Sequence, residues 1–120
     1  MSTTAPHRGV MPYGVLLGQV LKAHRDRLAI EQKDLAASIG TSQSAYSRME
    51  TGHTAVTVPQ LRTLSRTLGT SAGRILAEVD QLAKSLETQG IDVPDQRETN
   101  AAAVLIGLGV LLALLSTGKG

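Results

Sequence analysis

The segment that decides the fold is Gln32–Gly52, QKDLAASIGTSQSAYSRMETG. In its first third, Leu35, Ala36 and Ile39 recur at the three- and four-residue steps of one helix face. Gly40 follows them, and glycine readily adopts the left-handed conformation that ends a helix. The pattern therefore predicts a short helix that stops at a glycine turn.

A second short helix is predicted directly after this turn. Either Thr41 or Ser42 can cap it by accepting a hydrogen bond from a backbone N–H group. Ala45 and Met49 supply its inward-facing residues, and Gly52 ends it. A helix, a turn of three to four residues that contains glycine, and a second helix make up the helix-turn-helix pattern.

About half of the chain, from Leu17 to about Leu76, resembles the lambda-repressor/Cro-like (Xre) helix-turn-helix family. The residues that carry the resemblance are Leu21, Arg25, Gln32, Leu35, Ala36, Gly40, Glu50, Gly52, Leu68 and Gly69. The resemblance implies an all-α fold with a five-helix DNA-binding domain. It also implies an ion pair between Arg25 and Glu50, which would tie the first helix to the end of the third.

Apolar periodicity predicts the other helices of this domain over Tyr13–Leu28, Val56–Leu68 and Ser71–Leu86. Thr57 is a candidate cap for the fourth helix, whose first turn accommodates Pro59. The apolar stripe of the fifth helix runs two turns past the minimal family domain, so we expect a second subunit to cover its end. The residues concerned are Val79, Leu82 and Leu86.

Four parts of the chain are predicted from these patterns. Residues 1–12 read as a flexible N-terminal tail, with the alternative of an arm whose His7 and Arg8 contact DNA. Residues 13–88 form the helix-turn-helix domain, and the polar residues 89–100, broken by Gly90 and Pro94, form a linker. Residues 101–116 are predicted to form a C-terminal hydrophobic helix.

Ala101–Leu115, AAAVLIGLGVLLALL, contains fifteen apolar residues and no charge. Three interpretations stay open: a helix for self-association, a membrane-associated helix, or a helix that docks on its own domain or on a partner protein. For self-association, leucines at steps of three, four and three would form a coiled-coil seam. These leucines are Leu105, Leu108, Leu112 and Leu115.

The resemblance places the DNA contacts on the second and third helices. Glutamine can bond bidentately to adenine and arginine to guanine. The candidates for base contact are Ser42, Gln43, Ser44 and Arg48 by matched position, with Ser47 added for its place on the same helix. The candidates for phosphate contact are Gln32, Lys33, His53 and Thr54. Glu31 departs from the family pattern, which has Ser, Thr or Asn at this position, and this weakens the predicted phosphate clamp.

Composition narrows the class of protein. The chain has 120 residues, a net charge of +2 and no cysteine, which excludes disulfides and thiolate metal sites. Its three histidines lack metal-ligand spacing, and no nucleophile elbow or dinucleotide loop is present, so neither catalysis nor a cofactor is predicted.

The predicted function is a sequence-specific transcriptional regulator, a repressor that binds double-stranded DNA as a dimer or larger homo-oligomer on the nucleoid in the cytoplasm. The alternative is an interaction protein, such as an antitoxin-like module, that uses the helix-turn-helix as a scaffold. In that case residues 101–116 would tether it to a membrane or bind another protein.

Overall fold

Helices make up most of the computed structural model, which describes residues 9–96 and 101–117. They are α1 Tyr13–Arg27, α2 Gln32–Ser38, α3 Gln43–Glu50, α4 Val58–Thr67, α5 Ala72–Thr88 and α6 Ala101–Thr117. These residues contain no β-strand, only an isolated parallel bridge between Val10 and Asp92. The predicted all-α class is therefore confirmed.

Side-chain caps start three of the helices, two of them at candidate caps predicted from the sequence. Ser42, and not Thr41, caps α3, because its Oγ accepts a 3.1 Å hydrogen bond from the amide of Ala45. At the start of α4, Thr57 and Gln60 form a reciprocal capping box, each side chain bonding the other's backbone N–H. Ser71 caps α5.

All six helices contribute residues to the core, and α1 and α5 pack along each other. Leu16 and Leu21 from α1 and Val79 and Leu86 from α5 are fully buried. The expectation that a second subunit covers the end of the α5 stripe was wrong for Val79 and Leu86, because other parts of the same chain already cover them. Leu82 is half-buried and lines an open groove between α1, α5 and the end of α6.

Residues just before α1 and just after α5 are held together by backbone hydrogen bonds. The amide of Met11 donates to the carbonyl of Asp92 at 2.8 Å, and the amide of Val10 donates to the carbonyl of Ala103 at 2.7 Å. Met11 and Ile91 are buried. The predicted flexible tail and linker therefore do not describe residues 9–12 and 90–94. Residues 1–8, with His7 and Arg8, and residues 97–100 lie outside the part of the chain that the structure describes.

Helix α6 packs on its own domain through one narrow face. Ala103, Gly107 and Leu111 are buried on this face. A Cβ atom at Gly107 would lie 2.3 Å from the carbonyl oxygen of Val10, so only glycine permits this approach. For this face, the structure thus shows α6 docked on its own domain. This was one of the three interpretations of the segment.

The four leucines of the predicted seam lie along one side of α6 but differ in exposure. Leu108 is half-buried against the core, whereas the other three are exposed. Leu108 therefore packs at least in part on its own chain, and self-association through the four leucines stays a prediction. Among the helices that the structure describes, none combines the length and apolarity that crossing a bilayer would demand.

Candidate nucleic-acid interface

The unit formed by α2, the turn and α3 presents the predicted DNA-contacting residues. Four residues, 39–42, connect the two helices, and Gly40 has a φ of +68°, in the left-handed region that glycine favours. The amide of Thr41 closes the turn by donating to the carbonyl of Ala36 at 3.0 Å. Because α1 packs on α3 and α4 packs on α2, this unit has a rigid support.

An open cleft lies between the start of α2 and the start of α3. It is lined by Gln32, Ser42, Gln43, Ser44 and Ser47. The hydroxyl groups of Ser42 and Ser44 are 3.3 Å apart and share a hydrogen bond. The structure thus brings together one predicted phosphate-contacting residue and four of the five predicted base-contacting residues.

Arg48, the fifth predicted base-contacting residue, lies apart from this cleft. It is exposed in the last turn of α3. Its position five residues after Gln43 places it on another side of the helix, because five residues at 3.6 per turn amount to about 1.4 turns. A duplex alongside α3 would therefore meet the cleft residues and Arg48 at different points of its groove.

A buried cluster connects α1, α2 and the end of α3. The guanidinium of Arg25 donates two hydrogen bonds to the carboxylate of Glu50, Nε to Oε2 at 2.6 Å and Nη2 to Oε1 at 3.1 Å. The third donor, Nη1, bonds the carbonyl of Ile30 at 3.0 Å. The Glu50 side chain is only 3% exposed and that of Arg25 11%. The structure thus contains the ion pair that the resemblance implies, in its bidentate form.

Gln32 takes part in this cluster through its amide group. Its Nε2 donates to Oε1 of Glu50 at 2.9 Å. An amide nitrogen carries two N–H donors, so one of them is committed to Glu50 and one is left for a phosphate. The bond also fixes the direction in which the second donor points. Phosphate contact by Gln32 stays a prediction, now with a stated geometry.

The pKa of the Glu50 carboxyl reflects opposing effects. Burial raises it, whereas the hydrogen bonds from Arg25 and Gln32 lower it, and the net result is a pKa below the usual 4.5. The same hydrogen bond to Glu50 raises the pKa of Arg25. The pair is therefore fully charged at neutral pH.

Acid should weaken the fold through this carboxyl. A group whose pKa is lower in the folded than in the unfolded state contributes stability above its unfolded pKa and loses it as the pH falls through its folded pKa. We expect the free energy of unfolding to fall as the pH is lowered below about 4.5, as measured by urea denaturation. Glu50→Gln, which cannot titrate, should show a smaller loss over this range. Parallel losses in both proteins would contradict the role given to Glu50.

Lys33, His53 and Thr54, the other predicted phosphate contacts, are exposed. The ammonium of Lys33 lies 3.7 Å from the carboxylate of Glu31, which partly offsets its charge. The backbone amides of His53 and Thr54 donate to the carbonyl of Arg48 and so close the end of α3. These two residues can therefore reach a phosphate only with their side chains.

Gly18 is a supporting residue that the sequence interpretation missed. A Cβ atom there would lie 2.0 Å from the carbonyl oxygen of Glu50, which shows how closely α1 crosses the end of α3. Gly52, with a φ of +80°, packs in the same way against Val15. The available signal was a glycine inside an otherwise periodic helix, which often marks a close approach of another backbone.

His24 illustrates a structural use of histidine in this domain. Its ring is buried, and Nε2 lies 2.9 Å from Oε1 of Glu78 on α5, while Nδ1 lies 2.9 Å from Nη2 of Arg27. Across residues 9–96 and 101–117, no group of three histidine, aspartate or glutamate side chains is placed to hold a metal ion. The histidine thus joins α1 to α5.

Comparison with known proteins defines the class of this domain. The family model described as helix-turn-helix matches residues 21–75, which include α2, the turn and α3. Residues 21–75 therefore form a helix-turn-helix domain of the Xre, or lambda-repressor-like, type. No curated protein sequence matches it significantly.

Two solved structures of one regulator share the fold. One structure of the clp gene regulator ClgR from Corynebacterium glutamicum is 25% identical over 57% of this chain and 90% of that chain, with a TM-score of 0.54. Another structure of the same regulator is 19% identical over 89% of this chain and 94% of that chain, with a TM-score of 0.56. Hydroxypropylphosphonic acid epoxidase from S. wedmorenis is 25% identical over 52% of this chain and 33% of that one, with a TM-score of 0.48.

Proposed function

We propose that this protein is a DNA-binding transcription regulator that recognises specific duplex sequences through α3. The observation that carries the proposal is the open cleft in which Gln32 lies beside the polar start of α3. The helix-turn-helix domain and the similarity to ClgR, a clp gene regulator, support the same class of protein.

In this proposal, α3 enters the major groove, which is wide enough to admit a helix. Gln43 and the serines at the start of α3 read base edges first, and Arg48 reaches a guanine further along the groove. Gln32 donates its second N–H to a phosphate, and this contact sets the register of the domain without reading sequence. The buried Arg25–Glu50 pair keeps α3 at a constant angle to α1.

We assign the protein to repression by occupancy of its site, acting as a homo-oligomer on cytoplasmic, nucleoid DNA. The division into a DNA-binding domain over residues 13–88 and a C-terminal oligomerisation helix belongs to the same proposal, as does the absence of catalytic activity. The exposed leucines Leu105 and Leu112 of α6 support self-association, because exposed large apolar side chains grouped on one helix often mark an interface.

Base recognition is tested by replacing Arg48 with alanine. We expect binding at the preferred site to weaken by about 1–3 kcal/mol and the preference at one base pair to relax, because a bidentate contact to guanine is lost. Fluorescence anisotropy with labelled duplexes measures both effects. Lys84→Ala is the matched control, since it removes one positive charge from an exposed position on α5, which packs against α1, α4 and α6.

Two outcomes would count against this assignment. If Arg48→Ala keeps full affinity and the same preferred base pairs, Arg48 does not read bases. If Lys84→Ala loses as much affinity as Arg48→Ala, the loss reflects net charge alone. Gln32→Ala should behave differently from both, weakening binding to all sequences alike.

A further inference from the structure

Helix α6 has a second face that the domain does not cover. The buried face contains Ala103, Gly107 and Leu111, and the opposite side of the helix is exposed to solvent. Leu105 is 67% exposed and Leu112 54%, values that are high for leucine in a helix already packed on a core. Ala101–Leu115 has no charged residue, so a partner for this face must itself be apolar and uncharged.

The exposed residues follow a heptad pattern that differs from the seam predicted from the leucines alone. Small residues occupy one position of the repeat, seven residues apart: Ala102, Gly109 and Ser116. Leucines occupy the other, also seven apart: Leu105 and Leu112. All five are exposed. The steps of three and four residues between them are those of a coiled-coil interface. We call this set the outer seam.

The small residues of the outer seam leave room for a close neighbour. A Cβ atom at Gly109 would meet nothing within 4 Å. The hydroxyl of Ser116 donates to the carbonyl of Ala113 at 3.1 Å, so its donor is satisfied within the helix and needs no water. Neither residue therefore prevents another apolar helix from packing against this face.

We propose that the outer seam binds the outer seam of a second copy of this chain, with the two α6 helices antiparallel. In an antiparallel pair, Leu105 faces Ser116 of the partner subunit and Leu112 faces Gly109 of the partner subunit. Every leucine then lies opposite a small residue, as efficient interdigitation requires. A parallel pair would instead stack leucine on leucine and small on small, leaving gaps. A lipid surface requires no such alternation of large and small residues.

The antiparallel pair is two-fold symmetric, so one face serves both subunits. An antiparallel pair has two registers in which leucines face small residues. The register proposed here places the contact farther from Ala103, where the N-terminal segment packs against α6. Two helices about 25 Å long bury less than the roughly 1,200–2,000 Å² of a stable protein interface. The dimer is therefore weak alone.

The consequence for regulation rests on the proposed function. Two helix-turn-helix domains joined by the outer seam bind adjacent half-sites at raised effective concentration, so DNA and self-association strengthen each other. The assembly itself is measurable without DNA. A protein that dimerises but does not bind DNA would therefore reject only the proposed function. A protein whose single domain binds DNA but which does not dimerise would reject only the outer seam.

Cysteine cross-linking tests the arrangement directly, because the natural chain has no cysteine. Full-length Leu105→Cys, full-length Ser116→Cys and an equimolar mixture are oxidised with copper-phenanthroline without DNA. The antiparallel pair predicts a covalent dimer mainly in the mixture, joining one variant to the other. Two copies of position 105 lie about 16 Å apart along such a pair, beyond the reach of a disulfide. A dimer formed mainly by Leu105→Cys alone, or equal absence of dimers in all three samples, overturns the proposal.

A substitution that adds apolar surface distinguishes specific pairing of the helices from nonspecific hydrophobic association. Gly109→Leu has space in the monomer but blocks the close approach of the helices, so dimer dissociation should increase at least tenfold in analytical ultracentrifugation. The thermal midpoint of the monomer should be unchanged or higher, since leucine favours helices more than glycine does. Leu115→Ser is the matched control; it removes a 44% exposed leucine outside the outer seam and should leave the dimer intact.

The alternative occupants give different results. Stronger dimerisation of Gly109→Leu, or loss of the dimer in Leu115→Ser, would show that apolar area alone drives association and would overturn the seam. A monomer that never cross-links but sediments with phosphatidylglycerol vesicles, more so as Gly109→Leu, would assign this face to lipid and reject the second copy.

Discussion

Replacing Glu50 with alanine is expected to lower the free energy of unfolding by about 3–5 kcal/mol, because it leaves the half-buried guanidinium of Arg25 without its anion. The amide of Gln32 also loses its acceptor. Arg25→Ala should cost a similar amount, since the buried carboxylate is then uncompensated. A small domain is stable by only about 5–15 kcal/mol in total, so both variants should unfold at much lower urea concentrations.

A double-mutant cycle separates the pair from its surroundings. The loss in the double variant should be smaller than the sum of the single losses, because each single variant already removes the interaction. Lys22→Ala is the matched control: Lys22 and Asp26 form an exposed ion pair at 2.7 Å, whose loss should cost about 0.5 kcal/mol or less. Strictly additive losses at Arg25 and Glu50 would contradict the pairing.

Gly18→Ala is expected to destabilise the domain by about 1–3 kcal/mol or more, even though alanine favours helices. The added Cβ would lie 2.0 Å from the carbonyl oxygen of Glu50, and a backbone atom cannot swing aside as a flexible side chain can. Helices α1 and α3 must then separate. We also expect weaker DNA binding, because α3 loses its support. Thermal unfolding and duplex titration measure the two effects.

Gly14→Ala is the control for this effect. Gly14 lies in the first turn of the same helix, is exposed, and has nothing within 4 Å of an added Cβ. Here the same substitution should be neutral or stabilise by about 0.5–1 kcal/mol, since glycine is the more costly residue in a helix. If both variants behave alike, the close crossing of α1 and α3 does not limit the fold.

Local sequence patterns predict most of the DNA-binding domain. The three- and four-residue spacing of apolar residues predicts α1 to α5, and glycine and cap residues place their ends within a few positions. Ser42 and Thr57 could be identified because capping depends on a few neighbouring residues. The Arg25–Glu50 pair spans 25 residues, and only the resemblance to a family pointed to it.

Features that depend on distant contacts were not predictable in this way. The hydrogen bond from Val10 to Ala103 joins segments more than 90 positions apart, and proline and glycine near both segments read locally as tail and linker. The helix α6 is apolar on all sides, so its periodicity could not show which face docks. For the same reason, the partial burial of Leu108 could be found only from the structure.

Selection of bound duplexes from a pool of random sequence tests whether α3 reads DNA sequence. The full-length protein is incubated with the pool, and bound duplexes are sequenced over successive rounds, in parallel with Gln43→Ala and Arg48→Ala. We expect one enriched motif for the natural protein, with the preference relaxed at different base pairs in the two variants. Enrichment of no motif, or of the same motif at the same strength in all three proteins, would contradict it.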